Sequence, residues 1–294
     1  MIHRRTFLKQ SGLALAATTL LPGTIFANSG NQPLGLQLYS LRETIGNNVK
    51  GTIEKLAEIG FKEVETYGYS KDNGFFGLSV QEFKEILTQN GINTPSGHYG
   101  MDPFLEEKGT KDDVNYILDV AKQLDQKYVI IPYIAEGLRS SIDDYKRIAE
   151  KLNTAGRMCK DAGLKLVYHN HAFEFDNYNG KNGYDIFLEN TDEDLVDFEM
   201  DIYWVVRAGI EPSELFNKYP GRFPLWHVKD MHKQKPELNT EIGSGSVDYK
   251  EIFKYTEEAG VKHLIIEQEN FEMDPYKSLE QSFDYLQNKL VTKM

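Results

Sequence analysis

Lys165–Phe175 reads KLVYHNHAFEF. A short apolar run of strand length, Leu164, Leu166 and Val167, ends in His169, Asn170, His171 and Glu174. On an extended chain alternate side chains share one face, so His169 and His171 point the same way. Burying two imidazoles and a carboxylate is costly unless each other, a metal or a polar ligand satisfies them. Two hydrogen-bonded histidines at a strand end would fit the same letters. What favours a functional reading is that three later strands finish alike: Val196–Met200 runs into Asp201, Phe223–Val228 carries His227, and His263–Ile266 runs into Glu267.

Outward from that stretch, strand-like and helix-like segments alternate from Pro33 onward. Leu34–Tyr39, Glu63–Tyr67, Ile92–His98 and Tyr128–Pro132 read as the four strands before it. Apolar spacing at helical period predicts helices over Val49–Ile59, Val80–Leu87, Asp113–Leu124, Ile142–Ala162, Gly183–Leu188, Pro212–Tyr219, Asp248–Ala259 and Pro275–Lys289. Strands alternating with helices imply parallel pairing through helical crossovers. A single (β/α)8 TIM barrel over residues 33–294 follows, since that fold typically takes about 250 residues. A doubly wound open sheet is the alternative, but no Gly-rich phosphate loop follows the first strand. In a barrel all strand ends open on one mouth, so polar residues distant in sequence converge there.

Residues 1–29 stand apart. Arg4-Arg5-Thr6-Phe7-Leu8-Lys9 precedes a modestly apolar run, Gly12–Phe26, too short and too rich in Ala and Thr for a persuasive membrane span. The pattern resembles a cleavable twin-arginine export signal, with cleavage near Ala27 and a periplasmic product that is not inserted in the membrane. An uncleaved anchor is the alternative. The single cysteine, Cys159, rules out an internal disulfide and lies too far downstream for a lipoprotein anchor. A net charge of −12 argues against a nucleic-acid partner, which needs a basic face.

The strand ends offer His98, then His169, His171 and Glu174, then Asp201, then His227 with Lys229, Asp230 and His232, then Glu267 with Glu269. Two nitrogens and two carboxylates from four successive strands suit one divalent ion, Mn, Zn, Fe or Co rather than Ca. Each residue alone is weak evidence. An Asp after a strand is more often a helix N-cap, and a single His in an apolar strand more often a packed core residue. Glu267 is harder to dismiss, because ionised carboxylates are rarely buried without a partner. Lys229 shares a face with His227 and could protonate an enolate or a leaving oxygen, or else pair with Asp230 or Glu267.

These residues together resemble the xylose-isomerase-like TIM barrels, also described as sugar phosphate isomerase/epimerase-like. The likeness runs from GLQLYSLR at Gly35–Arg42 to IIEQENF at Ile265–Phe271, and GSGSVDY at Gly243–Tyr249 is similar to the family's turn before its seventh helix. The resemblance implies one ion held by a glutamate, an aspartate, a histidine and a glutamate on strands five to eight. Asp201, His227 and Glu267 match in type; strand five departs. His169 is aligned with the missing glutamate, with His171 and Glu174 as second choices, and the His-x-His is similar to the inosose dehydratase branch. The implied chemistry is proton abstraction beside the carbonyl of an unphosphorylated sugar or keto-sugar, in an isomerase or epimerase. A dehydratase or lyase, acting for example on 3-keto-glycosides, is the alternative, and a non-catalytic exported carbohydrate-binding barrel is a third reading.

Candidate acid–base groups are Glu267, Lys229 and Glu174. Candidate sugar contacts are His98, His171, Trp204 beside Tyr203, and Lys233. The partners this implies are a small carbohydrate and an exported sugar oxidoreductase supplying keto substrates, with a homo-oligomer left open. The family's endonuclease branch fits poorly, given the acidic charge and too few histidines for a three-metal cluster.

Overall fold

The computed structural model describes residues 33–291, so the export signal expected at 1–29 lies outside the described residues. Eight short parallel strands close into one barrel. They are β1 Leu34–Gln37, β2 Glu63–Thr66, β3 Asn93–His98, β4 Tyr128–Ile131, β5 Lys165–His169, β6 Val196–Asp201, β7 Leu225–Val228 and β8 His263–Ile266. Closure is made at β1, where Gly35 pairs with Glu63 on one side and Ile265 on the other.

The crossovers are amphipathic. Ile142–Asp161 buries Tyr145, Ile148, Ala149, Leu152, Ala155 and Cys159, which recur at helical spacing along one face. Ser141 caps it by accepting the Asp144 N–H, and the chain leaves through Gly163 at φ +78°. Most of the core lies between strands and helices. A separate plug of Tyr128, Ile130, Val167, Leu225 and Ile265 sits inside the barrel. These inward residues fix the phase of their strands, so two positions further on His169, His227 and Glu267 also face the axis. Among the described residues no helix is long and apolar enough to cross a membrane.

Several boundaries differ from expectation. β1 ends at Gln37 rather than Tyr39, because the Gln37 side chain accepts the Tyr39 N–H at 2.9 Å and turns the chain into a 3-10 turn, Leu38–Leu41. β7 begins at Leu225, after Pro224, which has no N–H for a ladder. The helix expected over Asp248–Ala259 is three short pieces, Tyr249–Ile252, Phe253–Tyr255 and Thr256–Ala259. Two hairpins were not anticipated: Tyr69–Ser70 with Gly74–Phe75, and Asp230–Met231 with Asn239–Thr240. The first needs Gly74, at φ +58° and with the Leu78 carbonyl oxygen 2.0 Å from where a Cβ would stand.

Candidate active site

The ends of β5 to β8 bring His169, Asp201, His227 and Glu267 together. One ligand atom from each lies within 4.8 Å of all the others, and all four residues are buried. Local structure sets each one. Asn170 stitches β5 to β6, its Oδ1 accepting the Asp201 N–H at 3.1 Å and its Nδ2 donating to the Asp201 carbonyl at 3.3 Å. Asp201 is both things its position suggests: Oδ1 caps the helix Ile202–Arg207 by accepting the Trp204 N–H, while Oδ2 has no hydrogen-bond partner. His169 donates from Nδ1 to the Pro132 carbonyl at 3.2 Å, which leaves the Nε2 lone pair free. That Nε2 is buried, unpartnered and 3.6 Å from Asp201 Oδ2. Burial also holds the His169 pKa below the usual imidazole value, so it stands neutral.

Two orphaned, buried ligand atoms aimed at one another are costly in a finished network. They suit a cation. A neutral imidazole oriented by a carbonyl, a carboxylate oxygen, a second imidazole and a second carboxylate form a donor set for a transition-metal divalent ion. The residues therefore fit the metal that the family likeness implies.

Lys229 accompanies this group. Its ammonium contacts Glu267 at 3.1 Å and Glu269, with Asp201 at 3.7 Å. Burial works against its charge, but Glu267, Asp201 and Glu269 outweigh that and hold its pKa above the ordinary lysine range. Burial would likewise raise Glu267, but Lys229 and His227 outweigh it and keep that carboxyl well below the usual range. Lys229 is fully buried behind these carboxylates and is not on the cavity wall, so the geometry gives it a charge-holding role rather than the proton-donor role. Nor does it pair with Asp230, which instead accepts the N–H groups of Met231, Gly243, Gly245 and Val247 and anchors the GSGSVDY turn.

A second group lies beside the first and shares His227. Glu65 Oε1 accepts from Gln37 at 2.7 Å and lies 2.8 Å from Nε2 of both His98 and His227, and its Oε2 accepts from Ser96 at 2.6 Å. Glu199 Oε2 lies 2.9 Å from His98 Nε2 and 3.2 Å from His227 Nε2. Burial would raise Glu65, but His98 and His227 outweigh it and hold it well below the usual range. Glu199 is pushed up to about 7 by burial and by the Glu65 charge. Sequence reasoning missed both carboxylates. The signal was there: Glu199 is two residues before Asp201 and so faces the same way, and Glu65 stands in a strand that alternates Glu63, Glu65.

A cavity of about 500 Å³ reaches two of the four ligands, His169 and Glu267, and is walled on that side also by His98, His171 and Glu269. His171 lines it as expected. Its Nδ1 is buried without a partner, and burial with His169 nearby holds its pKa well below the ordinary value. His98 lines it too, although its Nε2 is engaged by Glu65 and Glu199. Like Lys229, the predicted Glu174, Trp204 and Lys233 are not on the wall. Glu174 is fully buried, with Oε1 accepting from Tyr168 at 2.6 Å and Oε2 accepting the His171 N–H at 2.9 Å, so it braces the β5 loop. Trp204 packs 5.4 Å from His171, under Arg207. Lys233 is exposed in the turn after the Asp230–Met231 strand.

A family model described as xylose isomerase-like TIM barrel matches residues 53–289. A protein from Clostridium beijerinckii named inosose dehydratase is 23% identical over 279 residues, covering 83% of this chain and 90% of its own. One of that name from Geobacillus kaustophilus is 25% identical, covering 80% and 85%. A solved sugar phosphate isomerase/epimerase from Parabacteroides distasonis is 28% identical, with a TM-score of 0.76 over 90% of this chain and 96% of that one.

Proposed function

Because this chain belongs to the xylose isomerase-like TIM barrel family, we propose that it is a metal-dependent lyase that removes a proton beside the carbonyl of an unphosphorylated keto-sugar and eliminates the oxygen on the next carbon. His169, Asp201, His227 and Glu267 would hold the ion. When bound there, a divalent ion polarises the carbonyl and acidifies the neighbouring C–H. Glu267 is the base: it lines the cavity, and Lys229 and His227 keep it ionised. It takes the proton, the C–H electron pair becomes a carbon–carbon double bond, and the C–O bond to the leaving group breaks. Glu267, now an acid, returns that proton to the departing oxygen.

One observation carries elimination over epimerisation. Inverting a carbon needs acid–base groups on both faces. On β5, where a second carboxylate would serve, this chain has a neutral imidazole whose Nδ1–H is tied to Pro132 and whose Nε2 belongs to the ion. Elimination on one face needs a single group that first accepts and then donates. Relatives named dehydratases support the same reading. Sugar isomerisation is the second reading, supported by the name of the Parabacteroides distasonis structure. Export to the periplasm through residues 1–29 belongs to this proposal and fits a substrate without phosphate.

Incubating the manganese-loaded protein with keto-sugars in D₂O, followed by NMR and ultraviolet absorbance, tests the proposal. An unsaturated ketone together with released alcohol or water is the expected outcome. A deuterated epimer with no double bond would replace the lyase by the isomerase. Tight sugar binding with no C–H exchange would leave a carbohydrate-binding barrel.

A further inference from the structure

The proposed chemistry uses only one side of the cavity. The other side, above the ends of β1 to β4, is lined by six tyrosines: Tyr39, Tyr67, Tyr69, Tyr99, Tyr116 and Tyr133. They come from separate elements. Tyr39, Tyr67, Tyr99 and Tyr133 follow β1, β2, β3 and β4, Tyr69 starts the first hairpin, and Tyr116 lies on the helix Asp112–Gln123. Two of them, Tyr39 at 39% and Tyr133 at 44%, are among the few large apolar side chains exposed among the described residues.

Tyr39 and Tyr133 are fixed without being covered, Tyr67, Tyr69 and Tyr116 are half-buried, and Tyr99 is buried with its hydroxyl donated to Gln126 Oε1 at 2.7 Å. Arg42 stacks on Tyr39 at 4.7 Å and Arg139 on Tyr133 at 5.6 Å. Tyr67 meets Tyr39 edge-on at 5.2 Å, and Tyr69 and Tyr116 stack at 6.4 Å under Lys71. Tyrosine offers a large, rigid, amphipathic face with little conformational entropy to lose on binding. Two such rings open to solvent, Tyr39 and Tyr133, on a cavity wall that carries four more suit a ring-shaped ligand with an apolar face.

We infer that this tyrosine collar is a second subsite, which takes the ring attached to the reacting one, so that the substrate is a two-ring glycoside rather than a free monosaccharide. The recognised chemistry is a six-membered ring with an apolar face, either the C–H face of a second sugar or an aryl group. The inference rests on the reading of the His169–Glu267 side as the reacting end. It assigns the departing oxygen as the glycosidic one, with the collar holding the leaving portion.

Calorimetric titration of manganese-loaded protein with glucose, cellobiose, maltose and phenyl β-glucoside tests it, because none of these carries the reactive ketone. At least one two-ring compound is expected to bind about tenfold more tightly than glucose, the range a stacking contact supplies. Cellobiose or maltose leading would identify a sugar as the second ring, and phenyl glucoside leading an aryl group. Tyr39→Ala and Tyr133→Ala, both at exposed positions, should each weaken the two-ring ligand by about two- to tenfold and leave glucose unchanged. Equal affinity for one and two rings, no binding of any two-ring compound, or equal loss for both sizes in the variants would overturn the subsite. Two-ring preference without C–H exchange on keto-sugars would remove the reaction and keep the collar. Exchange on a one-ring keto-sugar with no two-ring preference would do the reverse.

Discussion

His227 belongs to two groups of buried polar side chains, and the two are finished differently. On its Nδ1 side, with His169, Asp201 and Glu267, His169 Nε2 and Asp201 Oδ2 have no hydrogen-bond partner. On its Nε2 side, with Glu65, His98 and Glu199, donors and acceptors alternate in a ring at 2.8–3.2 Å, and only Glu199 Oε1 is unpartnered. Both sets have metal-ligand composition, so composition does not separate them. Completion does. A network that satisfies itself is structure, while one that leaves its strongest ligand atoms bare is built for something else. Glu65 and Glu199 also hold the proton on His227 Nε2, which turns Nδ1 toward the open group.

Substituting one residue in each group, with metal content and stability read separately, tests whether the two groups differ in this way. Asp201→Asn keeps an oxygen for the Trp204 N–H and replaces Oδ2 with an amide nitrogen. Metal content by elemental analysis should fall to background, and C–H exchange should go with it. In metal-free protein the same change should cost less stability than Glu65→Gln, because it removes no hydrogen bond and only the 3.7 Å contact with Lys229, whose charge Glu267 and Glu269 also hold. A loss of stability without metal as large as that of Glu65→Gln would make the His169–Asp201–Glu267 group structural and erase the contrast.

Glu65→Gln should behave the opposite way. It takes a charged acceptor from His98, His227 and Gln37, and removing one partner of a buried ionic network costs about 3–5 kcal/mol. Urea unfolding of metal-free protein reads that cost. Metal should still bind, weakened by about 10- to 100-fold as for other outer-shell partners of metal-bound histidines. Full loss of metal with unchanged stability would reverse the roles assigned to the two layers. A smaller effect separates them again. At metal concentrations a hundredfold above Kd, binding to the native state alone adds about 2.7 kcal/mol. Chelation should therefore lower the melting temperature of the wild type and, at matched saturation, of Glu65→Gln, and leave that of Asp201→Asn unmoved.

The barrel was legible because each crossover carries its own period and stop, as Ile142–Asp161 does with Ser141 before it and Gly163 after. Asp201, His227 and Glu267 were legible for a related reason: Asp201 ends its strand, Glu267 directly follows Leu264–Ile266, and His227 is the one polar residue of Leu225–Val228. Glu65 and Glu199 were less so. They lie inside strands, and their meaning depends on which strands are neighbours across the barrel, where Glu65 reaches His227 over a separation of 162 residues. The tyrosines were missed because each is ordinary where it stands and only closure gathers them. Glu174 was assigned to the mouth on proximity to His171, but the chain leaves β5 at His169 and the following 3-10 turn, Phe173–Phe175, points its carboxylate at Tyr168.

Glu174 supplies the most specific test, because it is a buried carboxyl satisfied by two donors and outside both groups. Burial pushes its pKa up to about 7 against the hydrogen bonds from Tyr168 and the His171 N–H. A carboxyl raised above its unfolded value stabilises the fold while protonated, so its contribution is complete below pH about 4.5 and is lost as pH rises through about 7. Glu174→Gln can accept the His171 N–H through its oxygen and meet the Tyr168 hydroxyl with its amide, and it does not titrate. The stability of the wild type relative to this variant should therefore fall between pH 4.5 and 7 and be flat above it, by an amount on the order of 3 kcal/mol. Metal content should be the same in both proteins. A difference that grows with pH would mean that Glu174 is stabilised as the carboxylate. The brace under His171 would then be ionic, and burial with good hydrogen bonds would no longer suffice to tell the closed ring from the open site.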